Sequence, residues 1–268
     1  MSYCYRHPDH ETYINCSRCG QFICPECMVS APVGFQCVEC VGENKAPKVK
    51  ASFGAGGNQI PVVSKYIIGI CVGALFYTLL NGGVSYMAVQ FGMVPEAIAN
   101  GQWWRLISAA FLHGGILHLA FNMYALYWLG PQLERLLGHA QFAVIYMLSA
   151  IGGNVISYYF SDIATVSVGA SGAIFGLMTA TIVIGRELRA DVSQLMTLLV
   201  LNVVIGFASS GIDWRAHLGG AIMGAATGYL QTHGRRQMRF TGIVAIVVIL
   251  LALVFIRNHQ VLNALIGQ

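Results

Sequence analysis

From residue 62 onward the chain alternates between long apolar runs and short polar punctuation. The runs lie near 62–80, 113–130, 140–160, 170–185, 192–209, 214–231 and 240–257. A helix crosses a bilayer with about 20 apolar residues, in a range of roughly 17–25, so the pattern predicts seven spanning helices. The run near 170–185 is short: at a rise of about 1.5 Å per residue it reaches about 24 Å. That is about 6 Å less than a hydrocarbon core, so this helix is expected to end below the membrane surface. Fragment 81–112 interrupts the pattern with Gly82–Gly83, the polar tip Pro95–Glu96 and Trp103–Trp104–Arg105. It reads as a loop lying in the membrane interface, where tryptophan is favoured. Residues 1–40 are polar and form a separate head, and 41–61, rich in Gly, Ala and Lys, form a flexible linker. The spans themselves are expected over 62–231, with 232–268 holding the last helix and a tail.

Composition sharpens this division. Of 268 residues, 56% are hydrophobic and 10% charged, against about 25% charged in an ordinary soluble domain. A single water-soluble globule and a disordered chain are both excluded. Residues 1–65 hold 11 of the 26 charged side chains, and seven of the eight cysteines lie in the first 40 residues. The net charge of +4 is too small and scattered to suggest nucleic acid. Met1 leads directly into Cys4, Arg6 and His7 rather than into a basic stretch and an apolar run, so no secretory signal is expected and the head is placed in the cytoplasm. With seven alternating helices, Lys45, Lys48, Lys50, Lys65, Arg135, Arg186, Arg189, Arg235, Arg236 and Arg239 fall inside, and Arg105, Arg215 and Arg257 outside. This asymmetry fits the positive-inside bias and puts Gln268 outside.

The head carries Cys4-x2-His7, Cys16-x2-Cys19, Cys24-x2-Cys27 and Cys37-x2-Cys40. Four pairs at a constant two-residue gap supply eight ligands, which suits two tetrahedral zinc ions. A disulfide framework is the alternative, and a reducing cytoplasm argues against it. His10 is a second candidate for the place of His7. The head resembles the B-box and RING-like cross-braced fingers, a likeness that implies pairing the first set with the third and the second with the fourth; sequential pairing is also sterically open. Such zinc would be structural, and the head a docking or regulatory module for a cytoplasmic partner of unknown identity. Cys71, in the first span, reads as a packing residue.

Four polar residues stand out inside the predicted spans: His118, Asn122, Ser171 and His217. Each is expensive in lipid and hence a functional candidate, although histidine, asparagine and serine also serve as interhelical glue. Under the predicted topology they fall at one shallow depth on spans two, four and six. Span four carries Gly172 and Gly176, and span six Ala216, Gly220, Gly224 and Gly228, at intervals of four. Such stripes let helix backbones approach closely, as a Ser–His hydrogen bond requires.

GASGAIFG around Ser171, AHLGG around His217, WWR at 103–105, HGGILHLAFN at 113–122 and LGPQLERLLG at 129–138 resemble the rhomboid intramembrane serine proteases, over about residues 62–231. The resemblance implies an all-α polytopic membrane fold with a six-helix core, to which 240–257 adds a seventh helix. It also implies a nucleophile at Ser171, a general base at His217 and an oxyanion hole from His118, Asn122 and the Ser171 N–H. Phe175 would pack on the histidine ring, with Gly169, Gly172 and Gly220 in support. Asp213 is expected to be an interfacial loop charge rather than a triad member. Glu134 and Arg135 would form a structural pair in an inner loop, with Leu136 where the family often has arginine. His113, at the start of span two, would support the interfacial loop. Substrates would be single-span proteins of a bacterial plasma membrane, cut near the outer face, with no cofactor needed for the chemistry. The rival readings are an inactive relative, an intramembrane metalloprotease built on His113, His118 and His217 but without HExxH, and a seven-helix receptor.

Overall fold

A computed structural model describes residues 2–30, 35–43, 60–209 and 211–266. The chain divides into two compact units, Met1–Ser52 and Phe53–Gln268. The linker expected over 41–61 begins inside a helix and otherwise lies almost wholly outside the described residues, as does Gln268.

In the first unit, a 3₁₀ turn at Pro25–Cys27 leads into strand β1 (Met28–Ser30). Antiparallel β2 (Phe35–Cys37) pairs Met28 with Cys37 and Ser30 with Phe35, and α1 (Val38–Glu43) follows directly. Tight turns close two of the cysteine pairs: Gly20 N–H donates to Cys16 O at 2.9 Å, with Gly20 at φ 75°, and Cys27 N–H donates to Cys24 O. Glycine takes that left-handed conformation without steric cost.

The second unit is helical. Its long helices are α2 (Val63–Leu80), α6 (Ile116–Leu137), α7 (His139–Phe160), α8 (Ser171–Glu187), α9 (Ser193–Ala208), α10 (Trp214–His233) and α11 (Arg236–Ile266). The shorter α3 (Gly83–Phe91), α4 (Pro95–Ala99) and α5 (Arg105–Ser108) lie between the first two. Every predicted span holds one long helix, with two changes of extent. The second begins at Ile116 and runs through Pro131 to Leu137, so the expected inner loop around Glu134 is helix. The last is 31 residues long rather than the 18 of its apolar run. By length and apolarity α2, α7 and α11 each suffice to cross a membrane, and Arg105–Phe111 with α6 makes a fourth span bent by 91°. The helix α8, with 17 residues, is shorter than these, and nine of its residues are buried by its neighbours. The outward faces carry exposed apolar side chains, among them Phe240, Val248, Leu251 and Phe255 of α11. An exposed apolar belt of this kind has lipid as its natural solvent, and the protein is a multi-pass membrane protein.

Fragment 81–112 departs from the expected loop: most of it is helical, with a 3₁₀ turn at Ala109–Phe111. Positive φ at Gly82, Gly83 and Gly101 splits it into pieces too short to show a helical period. Arg105 is buried and ties the pieces together, donating from Nε to Gln102 Oε1 at 2.7 Å and from Nη1 to the carbonyls of Val89 (2.7 Å) and Gly92 (3.1 Å). Asn154 of α7 donates to Leu106 O at 2.9 Å, and Met93 bridges Ser167, just before α8. Trp103 and Trp104 remain exposed.

The inner face of the bundle is built on glycine. A Cβ at Gly220 would lie 1.9 Å from Gly172 O, and one at Gly224 1.9 Å from Gly176 O. Further along, a Cβ at Gly228 would meet Ala180 Cα at 3.0 Å. The ascending register shows that α8 and α10 run parallel with backbones in contact. Gly153 of α7 closes the third side, where a Cβ would lie 2.7 Å from Ala216 O.

Candidate functional site

The first turn of α8 places Ser171, and the first turn of α10 places His217. Their helices touch backbone to backbone at this level, and His217 Nε2 lies 2.8 Å from Ser171 Oγ. The imidazole stacks on Phe175 with centroids 4.1 Å apart and planes 14° from parallel, which fixes the ring plane. Both residues are partly exposed, so a substrate and water can reach them. In the observed contact Nε2 is positioned to take the hydroxyl proton as Oγ becomes a nucleophile.

The other ring nitrogen of His217 is buried and has no hydrogen-bond partner. Asp213 does not reach it. Instead Asp213 caps α10, accepting from Ala216 N–H at 3.3 Å, and accepts a hydrogen bond from Ser157 Oγ. The expected loop charge is therefore a helix cap. An aspartate just before a helix is a legible N-cap; the Ser157 partner on another helix was not legible.

His118 sits in the first turn of α6. Gly114 N–H donates to its Nδ1 at 3.2 Å, so in the neutral ring the proton is on Nε2. That nitrogen faces the serine across Gly169. A Cβ at Gly169 would lie 2.9 Å from His118 Nε2 and 3.6 Å from Ser171 Oγ. With φ at 143°, Gly169 supplies both the backbone turn before α8 and the open space beside the hydroxyl. Ser171, Gly172 and Ala173 open α8 and have no intrahelical acceptor for their N–H groups. Free amides and the positive end of the helix dipole thus border the same space. Asn122, also buried, donates from Nδ2 to His118 O at 2.8 Å. It stands one turn behind His118, bound to the backbone.

His113 is buried edge-on to His118, centroids 5.3 Å apart, with neither ring nitrogen bonded. Among the described residues no group combines His113, His118 and His217 as metal ligands. Sequence reasoning missed the reach of Glu134. Its fully buried carboxylate accepts from the N–H groups of Val62, Val63 and Ser64 (2.8–2.9 Å), from Ser64 Oγ and from His139 Nδ1 (2.6 Å). The carboxylate on α6 thereby caps α2, while Arg135 is exposed and takes no part.

In the head two tetrads form: Cys4, His7, Cys24 and Cys27, and Cys16, Cys19, Cys37 and Cys40. The ligand atoms of each lie within 4.8 Å of one another. This is the cross-braced pairing; the sequential one is not formed, and His7 rather than His10 takes the ligand place. His7 Nδ1 is 3.3 Å from Cys24 Sγ, 3.4 Å from Cys27 Sγ and 4.0 Å from Cys4 Sγ, and Cys19 and Cys37 sulfurs are 3.8 Å apart. A tetrahedral ion with metal–sulfur bonds of about 2.3 Å would separate its sulfurs by about 3.8 Å, so the tetrads fit a metal ion. Burial raises the Cys4 and Cys16 thiols, but backbone hydrogen bonds outweigh it and bring both down to about 6. Desolvation, then the adjacent Cys4 and Cys24, pushes Cys27 up to about 11. The three sulfurs of one tetrad and the four of the other cannot all ionise together without a cation among them.

Residues 100–234 match the rhomboid domain, a stretch that holds His118, Asn122, Ser171 and His217 and leaves out the head. The chain is 37% identical over 175 residues to the rhomboid protease GluP of Bacillus subtilis, covering 62% of this chain and 34% of that protein. It is 40% identical over 141 residues to the putative rhomboid protease YdcA of the same organism, covering 50% of this chain and 69% of the relative. With the rhomboid protease AarA of Providencia stuartii it shares 30% identity over 207 residues, 66% of this chain and 73% of the other. The chain thus spans about a third of the length of GluP and over two thirds of the two shorter relatives.

Proposed function

This chain belongs to the rhomboid family, and from that premise we propose that it is an intramembrane serine endopeptidase working through a Ser171–His217 dyad. The observation that carries the reading is the 2.8 Å contact between His217 Nε2 and Ser171 Oγ on two helices held together by glycine. His217 takes the proton from Ser171 as Oγ attacks a peptide carbonyl, then returns it to the leaving amine. The negative oxygen of the tetrahedral intermediate meets the Ser171 N–H and His118 Nε2–H, with Asn122 available if its amide turns from His118 O. One such donor is worth about 2.7–4 kcal/mol. The unbonded Nδ1 of His217 supports a dyad over a triad. Water then attacks the acyl-enzyme, and no cofactor takes part.

Substrates are single-span membrane proteins whose helices unwind near the outer face, where α8 opens. Its 17 residues span about 25 Å, short of the hydrocarbon core, which leaves Ser171 sunken yet reachable by water. The head faces the cytoplasm of a bacterial plasma membrane and docks a partner there, with one zinc ion in each tetrad as a structural ligand. Purified protein in liposomes should cleave a model single-span substrate. Ser171→Ala and His217→Ala should each abolish cleavage without adding when combined. Wild-type rates from either variant would end this reading.

A further inference from the structure

The second end of the α8–α10 pair carries a feature that proteolysis does not use. Between α8, α10 and α11 lies a groove of about 560 Å³ whose walls are Val183, Ala226, Tyr229, Leu230, Gly242 and Ile246. Val183 is 12 residues beyond Ser171 on α8, about 18 Å along the helix, so the groove is remote from the dyad. It is apolar throughout and borders the lipid-facing side of α11.

The chain next to one end of the groove is cationic. Arg235 lies in the α10–α11 connection and Arg236 opens α11, both exposed, and Arg239 stands half-buried on the first turn of α11. Arg239 is three residues before Gly242 and seven before Ile246, so it shares their helix face. Its Nη1 donates to Gln231 Oε1 at 3.2 Å, which ties the side chain to the end of α10. Among the described residues none of the three arginines pairs with a carboxylate. Glu187, at the end of α8, is engaged by His233 at 3.4 Å, and His233 stacks on Tyr229 with centroids 4.2 Å apart. Arg186 and Arg189 add positive charge at the same end of α8.

We propose that this groove is a binding site for one anionic phospholipid: an acyl chain along Gly242, Ile246 and Ala226, and the phosphate on Arg235, Arg236 and Arg239. Apolar walls alone would accept any lipid tail; the unpaired arginines at one end select a negative headgroup. The site stands independently of the proteolytic reading.

Native mass spectrometry of the full chain released from detergent, with phosphatidylglycerol and phosphatidylcholine of equal chain length at equal concentration, tests it. The wild type should retain one phosphatidylglycerol with about tenfold or greater preference. The R235Q/R236Q/R239Q variant should lose that preference. Ala226→Leu, which fills the groove, should lower retention of the lipid while the arginines remain. Millimolar glycerol phosphate should fail to displace it, which separates a lipid from a free anion. Equal retention of the two lipids by the wild type would overturn the proposal without recourse to any variant. Unchanged preference in the folded triple variant, or displacement by glycerol phosphate alone, would overturn it too.

Discussion

The head and the membrane body reach order by opposite means. Among the described residues, the buried apolar cluster of the head is Cys4, Cys16, Cys24, Cys27, Cys37 and Cys40 around one aliphatic side chain, Ile23. A unit of about 40 residues hides too little apolar surface to fold on burial alone, so its ligand atoms must be held by something other than packing. The body has a large apolar interior in which Phe142, Tyr146, Leu126 and Leu177 are wholly enclosed, and its closest helix contact lies where side chains are missing. The Gly172–Gly220 and Gly176–Gly224 contacts bring α8 and α10 to backbone distance, and the same approach sets Ser171 against His217.

Substitution of the contact glycines is the strongest way to break this contrast. Gly220→Val places side-chain atoms where Gly172 O already lies 1.9 Å from a Cβ. The helices must part, and a shift of about 1 Å at a reacting pair can cost about 10²-fold in rate. Substrate cleavage should fall at least that far, with a lowered Tm. Gly73→Val on α2, where a Cβ would meet nothing within 4 Å, should leave the rate unchanged. Equal tolerance at both positions would show that glycine contact does not build the site.

Metal removal probes the other half. Cys16→Ser, or chelation of the wild type, should open residues 2–43 to limited proteolysis and reduce metal from about two ions per chain, as measured by elemental analysis. Cleavage by the body should change less than about twofold, because none of the proposed catalytic residues is a head ligand. A collapse of cleavage on chelation would join the two units functionally or point to a metal in the reaction. The smallest effect is expected at Asp213. Asp213→Asn keeps a capping oxygen, so thermal stability should fall by no more than about 1 kcal/mol and the cleavage rate should stay close to wild type. A loss near 10⁴-fold would instead signal a triad.

The long helices were legible because apolar runs separated by polar breaks have few other solutions, and the Ser171 and His217 segments carried motifs. What stayed hidden was non-local. Four ligand pairs with identical gaps are interchangeable by spacing alone, so the cross-braced order came only from the likeness to cross-braced fingers, and the fold carries it. Glu134 reaches the start of α2 some 70 residues earlier, and no local pattern announces that. Fragment 81–112 looked like loop because its helices are too short for a period to emerge. The tautomer of His118 rests on a backbone N–H at Gly114, which side-chain motifs do not encode.

Activation of Ser171 by His217 is tested most directly by covalent labelling. The full-length protein in detergent would be treated with a fluorophosphonate probe and the modified residue mapped by peptide mass spectrometry. The adduct should lie on Ser171, and His217→Ala should lose it while keeping the wild-type Tm. An adduct on another residue, or undiminished labelling of Ser171 in His217→Ala, would contradict the account.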